Sequence, residues 1–462
     1  MYDLTGRFDA QHAASRQSCH VDAATRIDRI ERAVNLLQAH GDALCDAMSA
    51  DFGQRSLDQS RMTDIRGAIG PLKHAAKHLR RWMRPARRST GFPMNLLGGR
   101  ARIEYQPLGV VGCISPWNFP VQLAFGPLGG IFAAGNRCMV KPSEFTPATS
   151  ALMAEAVANA FDADELTIIE GDAEIGAAFS ALPFDHLMFT GATSIATHIL
   201  RAAATNLVPV TLELGGKSPA IVGTNADITA AADSIMAGKT MNAGQICLAP
   251  DYALVPEAAV AEFVSAAKAA VGTLYPTIKD NPDYTSVIND RHFDRLQGYL
   301  SDARAKGVEV IPINPADEDF SQQEHRRIPP TLLINPGDDT LVMADEIFGP
   351  LLPIRSYTDL GDTLGYINDR PRPLGLYYFG NDRDEQRQVL DGTISGGVTL
   401  NDVMMHIAQE DLPFGGVGAS GTGSYHGFDG FRNFSHARAI YSQSSLIARL
   451  AKTIRPPYRK AA

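Results

Sequence analysis

Apolar residues in the first hundred positions recur every three or four, a spacing that predicts helices. Ile27, Ile30, Val34 and Leu37 form one stripe, and Ile65, Ile69, Leu72, Ala76, Leu79 and Met83 form a second. The opposite face of the second helix carries Lys73, Lys77, Arg80 and Arg81, and Arg84, Arg87 and Arg88 follow. A basic stripe of this kind reads as a solvated face or a subunit contact before it reads as a nucleic-acid surface. From residue 102 the pattern changes. Short apolar runs at 110–115, 138–141, 166–170, 186–190 and 210–214 alternate with helical stretches at 123–134, 147–160 and 194–205. This alternation predicts a parallel sheet covered on both faces, with ligands beyond the carboxyl ends of its strands. A second α/β segment starts near Gly215, with a strand at 252–255 between helices at 227–243 and 257–271.

Composition narrows the choices. A chain of 462 residues exceeds one compact domain, and a net charge of −9 argues against nucleic acid as a partner. No apolar run reaches the roughly 18 residues of a membrane span, and the start lacks the basic and apolar parts of a signal peptide. The expected location is therefore the cytoplasm. Cys19, Cys45, Cys113, Cys138 and Cys247 are odd in number and form no CxxC pair, which suits neither a disulfide framework nor a metal site. Residues 448–462 carry Arg449, Lys452, Arg455, Arg459 and Lys460, and read as a loose or packed tail.

The candidate chemistry is scattered. Cys247 sits in a small, turn-compatible stretch, Asn-Ala-Gly-Gln-Ile-Cys, where a thiolate could act as a nucleophile. A lone cysteine is more often a small buried hydrophobe, and the other four, in helix or strand patterns, read that way. Glu213 ends an apolar strand before a Gly-Gly turn, so it is either a satisfied structural carboxylate or one that reaches a cavity. Asn118, in Pro116-Trp117-Asn118-Phe119-Pro120, offers an amide that could steady an oxyanion, or serves only a turn. Lys141 and Glu144 close another strand, where they could meet ribose hydroxyls or form an ordinary loop. Gly191 precedes a helix whose free N–H groups could face a pyrophosphate, although no GxGxxG fingerprint occurs. Glu346 and Phe348 lie just before a turn, and residues 413–418 read as a close-packed glycine loop.

Taken in order, PWNFP (116–120), KPSE (141–144), FTG (189–191), ELGGKSP (213–219), GQIC (244–247), EIFGP (346–350) and PFGGVG (413–418) resemble the aldehyde dehydrogenase superfamily. The resemblance runs from about residue 25 to about 442. NAGQICLAPDY (242–252), NDVMMH (401–406), GSYHG (423–427) and the short N-terminal part are similar to its class 3-like branch, and within it to the bacterial coniferyl aldehyde dehydrogenases.

The resemblance implies an α/β fold with two Rossmann-like parallel-sheet domains and a small β oligomerisation arm, in a homodimer. It implies N-terminal helices over 1–101, a cofactor domain over 102–212 and a catalytic domain over 213–395. Residues 396–442 would return to the cofactor domain and the arm, which takes in 102–105 and a strand near 438–442, and 443–462 would form a basic tail. By similarity Cys247 is the nucleophile, Glu213 the general base and Asn118 the oxyanion donor. Lys141 and Glu144 match adenosine-ribose contacts, Gly191 starts the pyrophosphate turn, Glu346 matches the nicotinamide-ribose contact and Phe348 lies beside it. The chain departs from the family at Ala196, where a glycine is common, and at Ala192, where a polar residue is common.

The implied reaction is NAD(P)-dependent oxidation of an aldehyde to a carboxylic acid through a thioester, without a metal. Glu144 would accept from a 2′-hydroxyl and repel a 2′-phosphate, which favours NAD, while the branch leaves NADP open. The implied substrate is an aromatic aldehyde, such as coniferyl aldehyde, or a medium- or long-chain one. Trp117, Phe119, Met404 and Met405 could line its entrance or belong to the core. A thioester-forming acyltransferase or esterase, and a non-catalytic protein of the same fold, are the alternatives.

Overall fold

The periodicities become three sheets and a helical flank in the computed structural model, which describes residues 3–451 and 456. The first sheet has the strand order Gly421–Thr422, Val210–Glu213, His186–Thr190, Val110–Ile114, Arg137–Lys141 and Leu166–Ile168. All its pairings are parallel except that of Gly421–Thr422. Arg137–Lys141 and His186–Thr190 are buried throughout, as strands covered on both faces must be. Ile114 pairs with Lys141 and with Phe189, and Thr190 with Glu213, so these strands end level with one another.

The second sheet runs Glu309–Pro312, Thr331–Ile334, Leu351–Tyr357, Tyr252–Pro256, Pro219–Val222, Gly375–Phe379 and Gly397–Leu400. Only its edge strand Glu309–Pro312 is antiparallel. Because Gly397–Leu400 pairs with Gly375–Phe379, this sheet extends past residue 395. A third, antiparallel sheet joins Ala86–Arg88, Arg100–Pro107 and Ser435–Ser442. Its first strand falls in the basic run, where no apolar alternation betrays it.

Helix Ala23–Phe52 starts at Asp22, whose side chain accepts from the Thr25 N–H, and stops at Gly53, where φ is 81°. Its stripe of Ile30, Val34 and Leu37 is buried in one core with Leu72, Leu79 and Phe132. The structure corrects several expected boundaries. Residues 123–134 form two helices, Gln122–Phe125 and Leu128–Ala134, because Pro127 interrupts the ladder. The helix expected over 227–243 is Ile228–Thr240, since Asn242 and Ala243 both take φ 51°. Cys19 lies beyond helix Leu4–Gln17 and is exposed, outside any helix or strand. The C-terminal region begins with helix Ser445–Ala451, and Lys452, Arg455, Arg459 and Lys460 lie outside the described residues. No helix among the described residues is long and apolar enough to cross a membrane.

Candidate active site

The loop after strand Val110–Ile114 is held from below. Arg61–Arg66 forms a wide helical turn that buries Asp64, whose Oδ1 accepts from the main-chain N–H groups of Val121 and Gln122 at 3.1 and 3.2 Å. Arg55 Nη2 meets Asp64 Oδ2 at 2.7 Å with neither side chain exposed, and Arg55 Nη1 donates to the Asn118 carbonyl at 3.0 Å. This buried pair, bonded both to the loop's N–H groups and to the Asn118 carbonyl, fixes the loop and with it Asn118. The Asn118 carboxamide donates to the Gln245 carbonyl at 3.1 Å, two residues before Cys247.

Cys247 is positioned by strained backbone. Asn242, Ala243 and Gly244 are all left-handed, with φ of 51°, 51° and 71°. Two such non-glycine residues cost of order 1–3 kcal/mol each and need support from their surroundings. Gln245 supplies it: its amide donates to Asn242 and Ser286 carbonyls at 2.9 and 3.0 Å and accepts from the Ile288 N–H at 3.0 Å. Asn242 adds bonds to the Asn118 and Gln245 carbonyls at 3.1 and 3.2 Å. Burial first, then the charges of Glu346 and Glu213, push the half-buried Cys247 thiol up to about 12, while the N–H groups of Cys247 and Leu248 act the other way.

Glu213 is buried at the end of its strand, and neither carboxylate oxygen has a hydrogen-bond partner among the described residues. Burial raises its pKa well above the carboxyl range. Glu346 rises to about 7, again chiefly from burial, with Asp251 adding to the rise and the Gly216 N–H opposing it. Its carboxylate lies so near Gly215 that a Cβ there would come within 2.1 Å of Oε1. The glycine loop is close-packed as expected, because a Cβ on Gly415 or Gly416 would sit 2.0 Å from a backbone oxygen.

Two cavities meet at Cys247. One, of about 250 Å³, is lined by Asn118, Gly191, Glu213, Cys247, Glu346 and Phe348, which gathers most of the residues singled out in the sequence. The other, of about 820 Å³, is lined by Phe119, Met404 and Met405 as well as Cys247. Trp117 belongs to the smaller cavity instead, with its ring 5.4 Å from Phe348 and 5.2 Å from His292. Arg295, which no sequence signal marked, lines the same wall and donates to the Ile347 carbonyl at 2.8 Å, bracing the turn where Phe348 has φ 47°.

Lys141 and Glu144 line neither of these cavities. Lys141 is buried and already donates to the carbonyls of Gly171 and Pro142 at 2.6 and 3.0 Å, with Glu144 Oε2 at 3.5 Å. Its strand stands three places from that of Glu213, roughly 14 Å along the carboxyl edge at the usual strand spacing. Between them, helix Thr193–Thr205 begins at Ala192 without a side-chain cap among the described residues, which leaves its first N–H groups available beside Gly191. The Ala196 methyl packs with Leu212 and Leu214 in the core.

Residues 6–440 match the sequence profile of the Aldehyde dehydrogenase family. The chain is 55% identical over 449 residues to the probable coniferyl aldehyde dehydrogenase of Caulobacter vibrioides, covering 97% of this chain and 93% of that one. It is 55% identical over 458 residues to the coniferyl aldehyde dehydrogenase of a Pseudomonas species, covering 99% and 94%. The solved substrate-bound state of Staphylococcus aureus AldH superposes with a TM-score of 0.90 at 33% identity, covering 98% of this chain and 100% of that one. A match of this extent, over a cysteine, a glutamate and an asparagine gathered around one cavity, means that the chain belongs to the aldehyde dehydrogenase family.

Proposed function

We propose that this chain oxidises an aldehyde to a carboxylic acid with NAD, or with NADP in its place. The observation that carries the reading is the position of Cys247 in the wall shared by two cavities, one large enough for an aromatic aldehyde, the other lined by Asn118, Glu213 and Glu346. The residues of the second cavity suit the nicotinamide end of a dinucleotide: the uncapped start of helix Thr193–Thr205 beside Gly191 suits a pyrophosphate, and Glu346 against Gly215 suits a ribose hydroxyl. Lys141 and Glu144, farther along the same edge, would hold the adenosine ribose. When bound there, the nicotinamide supplies the hydride acceptor.

The Cys247 thiol releases its proton to solvent, and the sulfur adds to the aldehyde carbon to form the anion of a tetrahedral thiohemiacetal. The second Asn118 amide hydrogen and the Cys247 N–H stabilise its oxyanion. Loss of hydride leaves a thioester on Cys247. Glu213, a neutral acid while buried and unpaired, must release its proton before it can accept one from the hydrolytic water. Splitting the oxidation this way avoids an aldehyde hydrate as the hydride donor.

The relatives' names point to coniferyl aldehyde as the substrate. The third sheet supports a homodimer, since the far edge of Ser435–Ser442 is unpaired among the described residues while Phe92 and Leu96 nearby are 82% and 75% exposed. Free cysteines suit a cytoplasmic location. Formation of NADH from coniferyl aldehyde, benzaldehyde and hexanal, compared with Cys247→Ala, tests the reaction. Absence of NADH with folded protein and either cofactor refutes it and favours an acyl hydrolase. Light scattering on the eluting protein tests the dimer.

A further inference from the structure

The larger cavity is apolar around Cys247, with Phe119, Leu123, Met241, Ile246, Met404 and Ile407 in its wall. Among its polar residues, two carry buried side-chain atoms with no hydrogen-bond partner among the described residues. His426 is 3% exposed, and neither of its ring nitrogens has a hydrogen-bond partner among the described residues. Glu410 lines the same cavity, and its Oε2 is also buried without a partner among them. His426 is held in place, with Phe414 5.0 Å away at 31° and Tyr425 4.6 Å away at 83°. Burial keeps the imidazole near pKa 4, so it is neutral and presents one donor and one acceptor. Burial and Asp411 raise Glu410 to about 7.

The position of Glu410 along the cavity follows from helix Gly67–Trp82. A Cβ on Gly67 would meet Gln122 Cγ at 3.2 Å, beside the loop that carries Asn118 and Phe119. A Cβ on Gly70 would meet only Glu410 Oε1, at 3.8 Å. Glu410 therefore lies about 4.5 Å farther along the helix than the wall next to that loop. Beyond it, His74 faces Asp411 at 3.3 Å, and neither residue belongs to the cavity's lining. Within the cavity's lining, the buried side-chain atoms without a partner among the described residues belong to His426 and Glu410, with Glu410 set off from the loop that carries Asn118.

Resting on the aldehyde-oxidising reading above, we infer that His426 and Glu410 form a binding site for a hydroxyl group at the far end of the substrate. They would thereby select phenolic aldehydes over those ending in hydrocarbon. A phenol hydroxyl donates one hydrogen bond and accepts another, so it satisfies an imidazole N–H together with a carboxylate or imidazole acceptor. A hydrocarbon end leaves both buried groups unpaired, and sites of that kind discriminate strongly.

The test compares 4-hydroxycinnamaldehyde with cinnamaldehyde, which differ only by the hydroxyl. In the wild type, kcat/KM should favour the hydroxylated substrate by about 10- to 100-fold. In His426→Phe, which keeps a ring between Phe414 and Tyr425, the ratio should fall to within about threefold of unity. Glu410→Gln should lower it partially, and it carries the test if the phenylalanine variant does not fold. A ratio taken within one variant cancels general damage to the site. A wild-type ratio near one, or a ratio unchanged in the folded variants, overturns the inference while leaving aldehyde oxidation intact. Failure to oxidise either aldehyde with either nicotinamide cofactor overturns both.

Discussion

Asn118→Ala should separate catalysis from folding. The lost side chain donates to the Gln245 carbonyl at 3.1 Å, but that oxygen also accepts from Asn242 Nδ2 at 3.2 Å and so is not orphaned. The Asn118 carbonyl keeps Arg55 and Asn242 as donors, so the loop stays anchored. The folding cost is then that of one net hydrogen bond, about 1 kcal/mol. Loss of one oxyanion donor, by contrast, costs about 10²–10³ in rate, or about 2.7–4 kcal/mol in the transition state. Stopped-flow measurement of NADH formation in a single turnover isolates the hydride step, and urea unfolding of the same variant gives its stability. A folded variant whose hydride step stays within about fivefold of wild type would refute the oxyanion role. A stability loss above about 3 kcal/mol would refute the claim that Asn242 shares the Gln245 carbonyl.

Alkylation of Cys247 by iodoacetamide should speed up about tenfold per pH unit between about pH 7 and 10, because the thiol titrates near 12; a plateau near neutrality would contradict the burial argument. Glu213→Gln should retain a burst of NADH but lose steady turnover, which rapid-mixing kinetics would show. The same variant should gain stability over wild type as pH rises: a carboxyl whose folded pKa is raised favours folding below its unfolded pKa and loses that advantage between the two values. Thermal melts at about pH 5 and 8 check the sign, and an equal shift at both would contradict it. Asp64→Ala should cost about 3–5 kcal/mol in chemical denaturation, since it strands the buried Arg55 guanidinium beneath the Asn118 loop.

Much of this was legible in the chain. The strands of the first sheet announced themselves as short apolar runs, because a strand covered on both faces has no polar side to show. Glu213 and Lys141 were readable as residues at strand ends. What the sequence could not convey was direction and partnership. Trp117 and Phe119 sit two residues apart in one loop yet face different cavities. Arg55 acts on Asn118 from 63 positions away. Ala243 does not advertise a left-handed backbone, yet together with Asn242 it ends the helix early. His426 and Glu410, 16 positions apart, come to one wall only in the fold.

A nucleophile set into a partition has a kinetic consequence. In the function proposed above, aldehyde and cofactor would reach Cys247 through separate chambers, and the acid and the reduced cofactor would leave by the routes their precursors used. Neither product has to queue behind the other, so the acid should compete with aldehyde and not with cofactor. Such a plan also lets mutation redecorate one chamber while the other keeps its shape, so the range of aldehydes can drift without renegotiating the redox partner.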